Sequence, residues 1–231
     1  MSKKRKSTEI SQSPKRTRSG SRELSAYFKS YKNGLGDFHL PLFRAVAQLL
    51  KPGRVLYPGC YRHVTASLAF EDVVYLDCDS KVGACFQDEG VLDWLDQNKD
   101  YKVKPKLRFL CANFDNAIKG ESLESFDLAI SACAGIVTSS TSKYLKVGGY
   151  YLVSDAHYDA RCLSLDESFV LKYVWDSKTE VFTDDVDGHF VTNEGKKITR
   201  EMVEESQNKP KARRSFKLKK EAMFYLFVRI E

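Results

Sequence analysis

Five short apolar runs do most to limit what this chain can fold into. They are Arg54–Tyr57 (RVLY), Val73–Leu76 (VVYL), Leu107–Cys111 (LRFLC), Phe126–Ser131 (FDLAIS) and Tyr150–Val153 (YYLV). Each is rich in β-branched or aromatic residues and alternates only weakly, the pattern of strands buried on both faces. They recur at intervals of roughly 20–35 residues, room for a crossover helix between parallel neighbours. Segments 63–70, 80–97 and 136–146 are the predicted crossovers. Strand and helix alternating at this spacing predict an open α/β sheet, doubly wound and mostly parallel.

The flanks fit that frame. Glu23–Tyr31 reads as a short helix with Leu24, Tyr27 and Phe28 on one face. Residues 40–50 place Leu42, Phe43, Val46, Leu49 and Leu50 at helical spacing, and Lys51-Pro52-Gly53 ends them. Beyond residue 160 the pattern changes. Phe169–Trp175 and Val181–Thr183 read as strands and Thr199–Gln207 as a polar helix. Ser215–Lys219 and Ala222–Ile230 read as an antiparallel strand pair. No apolar stretch approaches the ~18 residues that cross a bilayer, so no membrane span is predicted.

The charge is unevenly placed. The formal net charge is +6, but residues 1–22 hold eight basic residues and only Glu9 as an acid, a net +7. The remaining residues hold 29 basic and 30 acidic side chains, a net −1. A Lys-, Arg- and Ser-rich segment with one bulky apolar residue after Met1, Ile10, cannot offset its ordering entropy, which predicts a disordered basic tail. No apolar run follows the basic residues, so no secretory signal is predicted. Lys3–Lys6 and Lys15–Arg18, set apart by a Ser-rich spacer, resemble a two-part nuclear localisation signal. That implies an import receptor as partner and a nuclear or nucleocytoplasmic chain. The plainer alternative is a solvated tail with weak, non-specific nucleic acid contact. The expected division is a tail over 1–22 and one α/β domain over 23–231.

The six cysteines form no C-x-x-C pair, so no metal site is expected. They read as small hydrophobes in a reducing compartment.

In a doubly wound sheet, ligands bind outside the carboxyl ends of the strands, where the strand order reverses. The first strand leads into Pro58-Gly59-Cys60-Tyr61-Arg62-His63. Gly59 lets backbone approach a ligand, and the helix that follows offers unpaired N–H groups. Asp77 ends the second strand 18 residues after Gly59, close to the ~20-residue offset of a ribose-binding acid. Tyr61, Arg62 and His63 either serve a ligand or pack on the first crossover.

The pieces VLYPGC (55–60), VVYLDCD (73–79), FLCANFD (109–115), FDLAIS (126–131) and YLKVGGYYLV (144–153) together resemble the class I S-adenosylmethionine-dependent methyltransferases, which have a Rossmann-like fold. The resemblance spans about residues 54–154, and a helix ending Leu-Lys-x-Gly-Gly before the fifth strand is its most telling part. It implies S-adenosylmethionine as cofactor, with Tyr57, Gly59, Asp77 and Asn113 at the cofactor-binding positions. The family's acid at position 57, which would hold the methionine amino group, is a tyrosine here. The family's later glycines are Tyr61 and His63. Asn113 stands where an acid usually meets the adenine amine.

After the fifth strand, Ser154-Asp155-Ala156-His157-Tyr158-Asp159 sets a histidine between two acids. Asp155 and His157 are the candidate catalytic pair, a base oriented by a carboxylate. The alternative is a polar loop whose Asp caps a short helix over 159–165. The acidic loop before His189 does not complete a calcium pattern. Seven basic residues within 209–220 read either as a lysine-lined edge strand or as a nucleic-acid stripe. The expected activity is methyl transfer to an unidentified acceptor. The alternatives are a non-catalytic relative acting as a nuclear binding or scaffold module, and another nucleotide-binding Rossmann protein.

Overall fold

The computed structural model describes residues 21–34, 37–209 and 216–231. The tail residues 1–20 lie outside the described residues. Ser21 caps α1 (Arg22–Tyr27) by accepting the Leu24 N–H, so the helix takes in Arg22, which the sequence assigns to the tail. The segment continues as a π-helical turn, Phe28–Lys32. α2 (His39–Leu50) buries His39, Leu42, Phe43 and Val46 along one stripe and stops at Lys51, which is left-handed at φ +47° before Pro52.

The strands follow as β1 (Val55–Pro58), β2 (Asp72–Asp77), β3 (Lys106–Cys111), β4 (Phe126–Ser131), β5 (Leu145–Ser154), β6 (Phe169–Asp176), β7 (Val181–Thr183) and β8 (Phe224–Arg229). They form one sheet in the order β3-β2-β1-β4-β5-β8-β6-β7. The first five are parallel, and the order reverses between β1 and β4. This is the Rossmann-like, mostly parallel sheet that the apolar runs predict. Both faces are covered. Val55, Tyr57, Val73, Tyr75, Phe224 and Leu226 enter one core, whereas Leu56, Val74, Leu76, Tyr225 and Phe227 enter the other.

The antiparallel pair exists, but with a different partner. β8 runs antiparallel between β5 and β6, and residues 216–219, the described part of the predicted Ser215–Lys219 strand, are not its neighbour. Phe224–Val228 is buried and apolar on both faces, as suits a strand in the middle of the sheet. Residues 216–220 bury only Leu218 and keep Lys217, Lys219 and Lys220 outside, so they bridge Thr192 and His189 at the periphery.

The crossovers are shorter than the spacing predicts. The first is one turn, α3 (Ala66–Ala69), whose ends are held by side chains. The Tyr75 hydroxyl accepts the Ser67 N–H at 3.0 Å, and the Tyr101 hydroxyl donates to the Ser67 carbonyl at 2.8 Å. The second is a turn at Ser80–Val82 with α4 (Gly83–Gln87) and α5 (Glu89–Asn98). The third holds only α6 (Thr138–Thr141) and a 3₁₀ turn, Ser142–Tyr144, because serines and β-branched residues disfavour a longer helix. The predicted helix end Leu145–Gly149 is instead the start of β5. There the register slips against β4 and Gly148 adopts φ +81°. α7 (Asp159–Leu163) and α8 (Arg200–Gln207) pack on the second face. Among the described residues no helix is long and apolar enough to cross a membrane.

Candidate functional site

The carboxyl ends of β1 to β5 bring Gly59, Asp77, Asn113, the loop after Ser131, and Asp155 to one edge of the sheet. Gly59 is left-handed at φ +63°, and its N–H donates to the Leu76 carbonyl at 2.7 Å. A Cβ at Gly59 would lie 2.3 Å from Ala134 Cβ. The glycine is therefore required by the approach of the loop after β4, directly across the switch point.

Asp77 ties two loops together. Its Oδ2 accepts the Tyr61 N–H at 2.8 Å, and its Oδ1 accepts the Asp79 N–H at 2.9 Å. Each oxygen keeps a second lone pair, and the carboxylate is only part-buried. Asp79 caps the turn at Ser80 by accepting the Lys81 N–H. Asn113 is exposed, and its Oδ1 accepts the Asp115 N–H at 3.0 Å. Its amide NH₂ faces no partner among the described residues.

Tyr57 is buried, and its hydroxyl shares a 2.6 Å hydrogen bond with His63 Nδ1. Burial pushes the Tyr57 phenol well up and the His63 imidazole well down, so both are neutral. His63 is 2% exposed, and its Nε2 has no hydrogen-bond partner among the described residues. Around it stand Tyr31, stacked at 4.1 Å, and His39, edge-on at 4.3 Å. His39 is itself lowered to about 4 by burial. The place of the family's acid and last glycine is thus an aromatic and imidazole cluster. His63 packs under α2 and the N-terminal segment rather than on the first crossover. Arg62 pairs with Glu23 at 3.6 Å.

On the loop after β5 the members of the candidate pair make no hydrogen bond to each other. Asp155 Oδ2 accepts from Arg161 Nε at 2.7 Å, and burial raises its pKa against the pull of that guanidinium. His157 is exposed and makes no hydrogen bond or ion pair among the described residues. Asp159, 1% exposed, accepts the Ser131 and Thr138 hydroxyls at 2.6 Å each and the Val137 and Thr138 N–H groups at 3.3 Å. It pins the loop after β4 to the start of α7. Burial nonetheless raises its pKa, partly offset by those bonds.

Sequence reasoning placed Asp159 at this edge but missed its bonds to the loop after β4, and it missed Ala134 and Tyr31. Only the small-residue run Ser131–Gly135 after an apolar strand hinted at the tight approach. No group of His, Cys, Asp and Glu among the described residues is arranged to hold a metal ion. A cavity of about 520 Å³ opens at the opposite, amino edge, beside Pro52, Asp127 and Lys146, away from these residues. Of the basic run at 209–220, Arg213 and its neighbours fall outside the described residues. Lys220 pairs with Asp185 at 2.9 Å.

No family model matches this chain, and no curated protein matches it. Solved structures do. The O-methyltransferase TomG from Streptomyces achromogenes, solved with S-adenosylmethionine, is 10% identical over 92% of this chain and 91% of its own, with a TM-score of 0.48. The plantazolicin methyltransferase BpumL, solved with S-adenosylhomocysteine, is 11% identical over 91% of this chain and 90% of its own, at 0.47. A methyltransferase from Geobacter sulfurreducens is 14% identical over 67% of this chain and 84% of its own, at 0.45.

Proposed function

We propose that this chain binds S-adenosylmethionine and transfers its methyl group to an acceptor. The observation that carries the reading is Asp77. It stands at the carboxyl end of β2 beside the strand-order switch, held by two backbone N–H groups, with a lone pair left on each oxygen. That is the arrangement a ribose diol requires. Asn113, exposed at the end of β3, would meet the adenine edge.

The nucleoside half of the cofactor fits these residues. The amino-acid half finds no carboxylate at position 57, where the Tyr57 phenol is already bonded to His63. Bound S-adenosylmethionine supplies an electrophilic sulfonium methyl. The chain's task is then to align an acceptor with it, which needs positioning more than a conspicuous catalytic set. His157, exposed on the loop after β5, would take the acceptor's proton. Asp155 would fix that loop through Arg161 rather than orient the imidazole. The basic tail over residues 1–22 would serve nuclear import, with weak nucleic acid contact as its alternative. Deleting residues 1–20 and imaging the chain tests this, and an unchanged distribution refutes it.

A second reading has its own support. Ala134 fills the space above Gly59, and a neutral cluster replaces the acid at position 57. A chain so altered would serve as a non-catalytic nuclear binding or scaffold module. Calorimetric titration of the full chain with S-adenosylmethionine and S-adenosylhomocysteine separates the two. Binding of either, lost in Asp77→Ala, supports the enzyme reading. No binding of either favours the scaffold.

A further inference from the structure

The segment Arg22–Lys32 is anchored on one side and reaches toward the first loop on the other. Tyr27 is fully buried, and its hydroxyl shares a 2.8 Å hydrogen bond with Thr65 Oγ1. Tyr27 and Phe28 pack against Trp94 at 5.3 and 5.2 Å. Four residues beyond Tyr27, the Tyr31 ring lies nearly flat on His63, 4.1 Å away at 13°. His63 is in turn fixed by Tyr57. Burial raises the Tyr31 phenol, and Cys60, Tyr61, Cys85 and Asp77 raise it further, so it stays un-ionised among the residues that end β1 and β2. Its hydroxyl makes no hydrogen bond among the described residues.

We infer that Tyr31 is a wall of the nucleoside crevice, brought there by the N-terminal segment, and that docking of this segment and nucleoside binding reinforce each other. The inference rests on the nucleoside reading of Asp77. Asp77 can only accept hydrogen bonds, whereas the Tyr31 phenol, stacked on the same loop whose Tyr61 N–H Asp77 accepts, both donates and accepts. Together they match a vicinal diol, each of whose hydroxyls does both. A ligand that bonds Tyr31 only in the docked arrangement must strengthen docking by the same factor by which docking strengthens binding. The Glu23–Arg62 ion pair makes the strap's grip partly electrostatic.

The test uses the full chain and S-adenosylhomocysteine, with binding read by calorimetry and strap docking by tryptic cleavage at Lys29 and Lys32. In the wild type, saturating S-adenosylhomocysteine should slow cleavage at those lysines about tenfold, and Tyr31→Phe, which keeps the stack, should weaken binding about tenfold. Tyr31→Ala should weaken it further and abolish the protection. Tyr31→Phe should also narrow the preference for adenosine over 3′-deoxyadenosine, which a purely structural role would leave unchanged. If the wild type binds none of these nucleosides, the reading of Asp77 fails and the inference with it. If the wild type binds but both variants match it in affinity and protection, the inference alone is overturned.

Discussion

Lowering the pH from 7 to 5 should weaken this fold through two histidines in particular. His39 and His63 are almost wholly buried in one aromatic cluster, and burial holds both imidazoles neutral, His39 down to about 4 and His63 well below its ordinary value. In the unfolded chain each titrates near 6.5. The unfolded state therefore takes up protons that the folded state refuses, so stability is full above about 6.5 and falls as the pH drops below it. At pH 5 an unfolded imidazole is favoured by about 2 kcal/mol through protonation, while a folded one with a pKa near 4 gains almost nothing. His39 alone therefore costs about 2 kcal/mol, a sizeable share of the ~5–15 kcal/mol typical of a domain, and His63, also lowered by burial, adds a loss of the same sign. Urea denaturation at pH 7 and pH 5 reads this directly. His39→Phe keeps a ring where His39 stacks on Phe38 at 3.9 Å, and should remove the His39 share of the loss, ~2 kcal/mol. Carboxylates titrate alike in both proteins and cancel in the comparison. An identical pH dependence in His39→Phe would refute the neutral, buried assignment.

Other substitutions test the edge of the sheet. Gly59→Ala should destabilise by about 2–4 kcal/mol, from a left-handed φ and a methyl driven into Ala134. Pairing it with Ala134→Gly should recover the steric part in a double-mutant cycle, and simple additivity would sink the contact argument. Asp159→Ala strands the Ser131 and Thr138 hydroxyls in a buried site, and should cost about 3 kcal/mol in denaturant unfolding. A loss below 1 kcal/mol would mean that the loop after β4 is held by something else. Tyr57→Phe should cost about 1 kcal/mol by leaving His63 Nδ1 unpaired as well as Nε2, and no measurable change would contradict the buried bond.

β1, β2, β4 and the end of β5 were legible because strands buried on both faces must be apolar throughout, whereas the edge strand β3 is exposed or half-buried along its length and read as a strand from its weak alternation. The crossovers were not, because their brevity depends on distant hydroxyls. Tyr75 and Tyr101 satisfy the ends of α3 from other elements, which no local pattern announces. The antiparallel pair was half legible. Phe224–Arg229 reads as a strand, but its partner is Phe169–Asp176, which itself carries an exposed Lys172, so no local pattern favours it over the lysine-alternating segment. At the site, Asp77 and Gly59 could be placed from spacing alone. What surrounds them could not. Asp155 reads in sequence as the companion of His157, yet Arg161, six residues on, takes its carboxylate across the turn of α7. Tyr31 and His39 belong to helices that read as ordinary amphipathic stripes, and only the packing of those helices on the first loop brings them against His63.

The central claim is that Asp77 holds a ribose. A crystal structure of the full chain with S-adenosylhomocysteine tests it most directly. The account predicts both ribose hydroxyls within hydrogen-bond distance of the Asp77 carboxylate, with the Tyr31 hydroxyl beside them and the adenine edge at Asn113. A nucleoside bound elsewhere, or a crevice still closed by Ala134 against Gly59 at saturating ligand, would contradict it.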